Sequence, residues 1–249
     1  AHAANGNGLA RYANSIEDLY KRMDTIVGKT LEHVDDDTVL FVLSDHGFKS
    51  FQRGIQLNTW LRDNGYLAVR EGADLEKDSY LRAIDWSKTR AYSFGLAGIY
   101  LNVKGREAKG IVDSKEAPAL MKEIADKLTG LRDEERDAIA IHRAYPKGAC
   151  YSGPYVRVAP DVVVGYNIGY RSAWDVALGK VGGPVFEDNL KAWSGDHCVD
   201  PPLIPGVLFC NRNFEADNPG IEDLGPTCLN LFGFQTPAYM DGKDIRVTA

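Results

Sequence analysis

Residues Thr38 to Leu43, TVLFVL, are β-branched or apolar without a break. Continuous apolarity over that length predicts a strand buried on both faces, as in a parallel sheet. Upstream, Leu9, Tyr12, Ile16, Leu19, Tyr20, Met23, Ile26, Val27 and Leu31 recur at steps of three and four. They predict an amphipathic helix over 9–31 that packs on the sheet holding 38–43. Helix, loop and strand in that order are half of an α/β unit. Downstream, Leu57, Trp60 and Leu61 predict a short helix stopped by Asn64-Gly65, and 66–69 reads as extended.

From about residue 70 the texture changes. Short strand candidates, 90–94 and 98–103, are separated by glycines, and further ones occupy 138–142 and 161–166. A helix follows Ser114, where Ala117, Leu120, Met121, Ile124 and Leu128 share a face and Pro118 fits the first turn. Glycines, tyrosines and Arg171 over 165–171 read as a loop, packed or free to meet a base and a phosphate. After a Gly- and Pro-rich loop, 206–210 is a short strand. Leu224, Cys228, Leu231 and Phe232 then form the face of a last helix, with Pro226 in its first turn and Gly233 as its stop. The expected class is α/β with an α+β insert: a core segment over 1–69, the insert over 70–190, and a second core segment over 191–249.

Composition narrows the function. With 29 Lys+Arg against 35 Asp+Glu the net charge is −6, so no basic stripe exists to coat nucleic acid. No apolar run reaches membrane-spanning length. Cys150, Cys198, Cys210 and Cys228 form no CxxC pair and read as free thiols, Cys198 being a neighbour of a candidate ligand. The opening AHAANGNG has no initiator Met and no signal-peptide pattern, so upstream sequence is expected and localisation cannot be read from it.

The chemistry gathers at two corners. Ser44-Asp45-His46-Gly47 ends the apolar run of 38–43, and Gly195-Asp196-His197 precedes the strand of 206–210. Ligands of open α/β sheets collect just past strand ends. A carboxylate and two imidazoles there, Asp45, His46 and His197, are zinc-type ligands that also suit manganese or iron. Asp196 is either a turn residue or an orienting partner of His197. His33 and His142 read as structural, and nothing in the spacing singles out Asn58 or Tyr155 as pocket residues.

SDHGF, the downstream GDH and the ending DLGPTCLNLFGFQTPAYMDGKDI together resemble the alkaline phosphatase superfamily, closest to its type I phosphodiesterase/nucleotide pyrophosphatase family. The resemblance runs from about residue 12 to the end. It implies a large sheet flanked by helices, of which this chain forms part of a domain. It also implies two divalent metals, usually zinc, with Asp45 and His46 on one and His197 on the other. A Thr or Ser nucleophile would form a phospho-enzyme on a phosphate-ester or nucleotide-like substrate. The family's early Asp, its nucleophile and its Asp-x-x-x-His pair have no match before Asp45, and His2 lacks an Asp four residues ahead. The chain is therefore expected to be the C-terminal portion of the enzyme, inactive alone, with the missing segment as its partner. Phosphonate hydrolase, sulfatase and phosphopentomutase share the metal corners. The other class is a non-catalytic relative that binds a ligand or partner chain.

Overall fold

A computed structural model of the protein describes residues 10–248. His2 and Leu9, named above, lie outside them. In chain order the first elements are α1 (Ser15–Leu31), β1 (Phe41–Leu43), β2 (Lys49–Ile55) and α2 (Leu57–Asp63). Next come β3 (Ala91–Ser93), β4 (Gly98–Leu101), α3 (Ala117–Leu128), β5 (Arg132–Asp133), β6 (Ala138–Ile139) and β7 (Ile141–Pro146). Then follow β8 (Val162–Tyr166), β9 (Gly169–Ser172), α4 (Trp174–Ala177), β10 (Phe186–Asp188) and β11 (Gly195–Asp196). The last are β12 (Leu208–Cys210), β13 (Asn213–Phe214), α5 (Leu224–Leu231) and β14 (Val247–Thr248). This is the mixed α/β class expected from the sequence.

The chain forms two compact units. One comprises Gly47 and the residues before it with Gly206 and those after it; the other is Phe48–Pro205. This partition follows packing, whereas the division at 69 and 190 follows texture. Among the described residues no helix is long and apolar enough to cross a membrane.

The first unit corrects two expectations. The run 38–43 contributes only three strand residues, paired antiparallel with β12 in a two-stranded ladder. Phe41 and Val42 are half-buried while Leu43 and Phe209 are exposed, so this is not a parallel strand covered on both faces. Helix α1 forms where the stripe predicts, but none of its residues is buried. Two two-stranded ladders, β1-β12 and β13-β14, are too small to cover such a face. Helix α5 likewise forms as expected, with Gly233 at φ 77° behind it. Its buried residues are Pro226 and Thr227, while Leu231, Phe232 and Cys228 are exposed.

The second unit holds the core. Strands β3, β4, β8 and β7 form an antiparallel sheet in that order, and α3 packs on it through Leu120, Ile124 and Leu128. Its apolar interior includes Ile99, Leu101, Ile141, Val162 and Tyr166 with Leu57 and Leu61 of α2. Asn64 caps α2 and Gly65 follows at φ 77°, the expected stop. A second sheet is built on β2, which carries β9 parallel and β10 and β11 antiparallel. The stretch 165–171 is therefore not a loop: Tyr166 ends β8, and Tyr170 and Arg171 are buried in β9.

Candidate functional site

The Asp-His corner lies in the first unit, just past β1. Ser44 ties it to the strand opposite: its N–H donates to Val207 O (3.0 Å), and Val207 N–H donates to Ser44 Oγ (3.0 Å). Gly206 permits this approach, since a Cβ there would lie 2.4 Å from Ser44 O. With the backbone fixed, Asp45 Oδ1 accepts the N–H of His46 (3.1 Å). His46 Nδ1 lies 2.8 Å from Gly47 O. A carbonyl oxygen only accepts, so Nδ1 carries the proton and the lone pair of the neutral ring sits on Nε2. That is the orientation common to metal-ligating histidines, whose other ring nitrogen donates to a carbonyl or carboxylate. Nε2 and Asp45 Oδ2 stand 3.4 Å apart. Two ligands about 2.0 Å from a tetrahedral zinc are separated by about 3.3 Å, so the donor types and their spacing both fit such an ion.

His197 lies in the second unit. Strand β11 pairs with the start of β2, Gly195 opposite Ser50 and Asp196 opposite Lys49. A Cβ at Gly195 would meet the Phe48 ring at 2.5 Å, so glycine lets the turn close on it. The His197 and Phe48 rings are 6.3 Å apart, tilted by 36°. Asp196 Oδ1 accepts two backbone N–H groups, from His197 (2.7 Å) and Cys198 (3.1 Å). Its Oδ2 is ion-paired with Arg171 Nη1 at 2.8 Å, and both residues are buried. The ring Nδ1 of His197 is 3.6 Å from Asp196 Oδ1, too long for a hydrogen bond. Asp196 thus orients the backbone of the loop and not the ring.

Donor atoms of Asp196, His197 and Cys198 fall within 4.8 Å of one another, a spacing that a metal site allows. Within the protein the three groups are engaged differently. Asp196 is already committed to a buried guanidinium. Burial, then the charge of Asp196, pushes the Cys198 thiol up to about 11. His197 is half-exposed, and its imidazole is a donor that suits a cation.

Of the other residues weighed from sequence, Asn58 and His142 are tied into the fold, whereas Tyr155 and His33 are exposed. Asn58 is buried in α2, donating to Ser93 O (2.9 Å) and Lys180 O (3.0 Å) and accepting from Ser93 N–H (2.7 Å). Tyr155 is exposed. His142 Nδ1 pairs with the buried Asp200 at 2.5 Å, and Tyr145 Oη donates to the same carboxylate at 2.9 Å. His33 is exposed past the end of α1. The residue that sequence reasoning missed is Arg171, read there as part of a loop. Its signal was the short run Gly169, Tyr170, Arg171, Ser172 directly after a strand and a turn, which also reads as a further strand.

The family model described as type I phosphodiesterase / nucleotide pyrophosphatase matches residues 6–181 of the chain. No curated protein sequence matches it.

Proposed function

We propose that this chain, which belongs to the type I phosphodiesterase/nucleotide pyrophosphatase family and so to the alkaline phosphatase superfamily, supplies Asp45, His46 and His197 as metal ligands for phosphate-ester hydrolysis. The observation that carries the reading is the Asp45–His46 corner inside the matched segment, with Oδ2 and Nε2 at 3.4 Å and Nδ1 held by Gly47 O. His197 lies beyond the matched residues, and its assignment rests on its Gly-x-His loop and its half-exposed ring.

Divalent metals held by these residues, zinc for preference, would supply positive charge that polarises a phosphate ester. The protein's own groups set where that charge sits. Asp45 contributes a largely exposed carboxylate oxygen. His46 presents Nε2 because Gly47 O holds the proton on Nδ1. A Thr or Ser nucleophile belongs to the same chemistry, and none of this chain's hydroxyl residues is assigned to that role. The substrate class is a phosphodiester or nucleotide-like small molecule.

Titration calorimetry with zinc tests the reading. The chain is expected to bind zinc, and Asp45→Asn or His46→Ala to weaken it by more than the roughly 10–100-fold typical of a supporting residue. His197→Ala is expected to remove a separate binding event. Wild-type affinity in both corner variants would sink the assignment. The chain alone is expected not to turn over bis-p-nitrophenyl phosphate with zinc present. Metal-dependent turnover would place the nucleophile among its own residues.

A further inference from the structure

The Arg171–Asp196 pair is costly to bury and has no part in the ligand set. A buried ion pair seldom adds stability over apolar packing, so its presence asks for another reason. Its surroundings supply one. The guanidinium carbon of Arg171 lies 4.1 Å from the centroid of the Trp174 ring and 5.1 Å from that of Phe51. Stacking on aromatic faces suits the planar, weakly hydrated arginine head group. Its Nε has no hydrogen-bond partner among the described residues, so ring contacts and the single ion pair to Asp196 hold the group. Arg171 stands on β9, bonded to the central strand β2, and Asp196 stands on β11 at the other end of β2. The charge therefore runs from a rigid sheet to one carboxylate. The other oxygen of that carboxylate receives the amides of His197 and Cys198.

We propose that Arg171 is a positioning residue: held by Phe51 and Trp174, it fixes Asp196, and Asp196 fixes the backbone from which His197 reaches a metal. The inference rests on the reading of His197 as a ligand for its purpose, though not for its geometry. Without Arg171, Asp196 would face a buried site with no counter-charge, turn toward water, and release the two amides.

The experiment separates the two claims. Amide hydrogen exchange is measured residue by residue on the wild-type chain, Arg171→Met and Arg171→Lys, with folding checked by circular dichroism. Arg171→Met is expected to lose protection at His197 and Cys198 while α3 and β8 keep theirs. Arg171→Lys, which keeps a charge beside Asp196, is expected to restore part of it. Zinc titration on the same proteins should show weakening of about 10–100-fold in Arg171→Met at the site that His197→Ala removes. Asp196→Asn covers the case in which Arg171→Met does not fold. It is isosteric and lacks the charge, and it should show the same local loss. Because the two residues act in series, combining it with Arg171→Lys should add little to either single change. Unchanged exchange at 197 and 198 in a folded variant, a uniform loss across the sheet, or additive effects would each overturn the proposal. Should exchange change locally while the wild-type chain binds no zinc at His197, the positioning role stands and the metal reading fails.

Discussion

At the residue scale, the Asp45–His46 corner depends on an atom that is absent. Gly206 brings the chain against Ser44 O, and a methyl group there would sit 2.4 Å from that oxygen. The obstacle is backbone, so relief must move the Ser44 peptide and with it Asp45. Gly206→Ala is therefore expected to cost about 1–3 kcal/mol, the usual penalty of overpacking, and to weaken zinc binding. Gly225→Ala is the control, since its Cβ would meet Met240 at an ordinary 3.8 Å. Equal zinc affinity in the two variants would show that the corner does not need this approach. Such detail was only half legible beforehand. Asp45, His46 and His197 stand out because polarity changes abruptly beside apolar runs. The role of Asp196 was one of two open choices, because backbone N–H acceptors leave no trace in spacing. Arg171 was read as part of a loop, since a buried arginine looks like any surface arginine until its carboxylate is found.

At the element scale, the sheets show why some strands were read and others missed. Strand β8 is VVVGY and announces itself by β-branched residues. Strand β2, KSFQRGI, is the centre of its sheet and yet looks polar. Its Arg53 is buried and paired with Asp133 (2.7 Å), Glu135 (2.6 Å) and Asp188 (3.0 Å), so charge replaces the apolar residue expected there. The antiparallel sheet has a comparable device in Asp161, just before β8. That carboxylate accepts from Arg106 Nη1 (2.9 Å), Lys147 Nζ (2.8 Å) and Leu101 N–H (2.7 Å), joining the ends of three segments. Burial raises its pKa, but the bonds to Arg106, Lys147 and Leu101 outweigh burial and hold it below the ordinary value. A depressed carboxylate contributes stability above its unfolded pKa of about 3.9 and loses it as pH falls through the folded value. Asp161→Asn is thus expected to destabilise the protein by about 3 kcal/mol at pH 7. At about 2–4 °C per kcal/mol for a chain of this size, that lowers the melting temperature by roughly 6–12 °C. The gap should narrow as pH drops below about 3.9. A gap that persists undiminished at pH 3 would mean that the carboxylate's charge is not what matters.

At the scale of the whole molecule, the two units differ in how much apolar surface they bury, and stability should follow. The second unit encloses Ile99, Leu101, Ile124, Leu128, Ile141 and Val162 completely. In the first, α1 exposes Ile16, Tyr20 and Ile26 and buries no residue. The helical period of α1 was plain from sequence, but its cover was not. An amphipathic stripe states that a face needs burial without saying which surface supplies it. A helix of 17 residues with no buried face draws little help from packing, and isolated helices of that length are marginal in water. Native-state hydrogen exchange should therefore find the amides of α3 and β8 opening only with the largest free energies. Those of α1 should open with free energies near zero, as fraying segments do. If α1 proves as protected as α3 at low protein concentration, its apolar face is covered in solution. Protection that instead rises with protein concentration would identify a second copy of the chain as the cover.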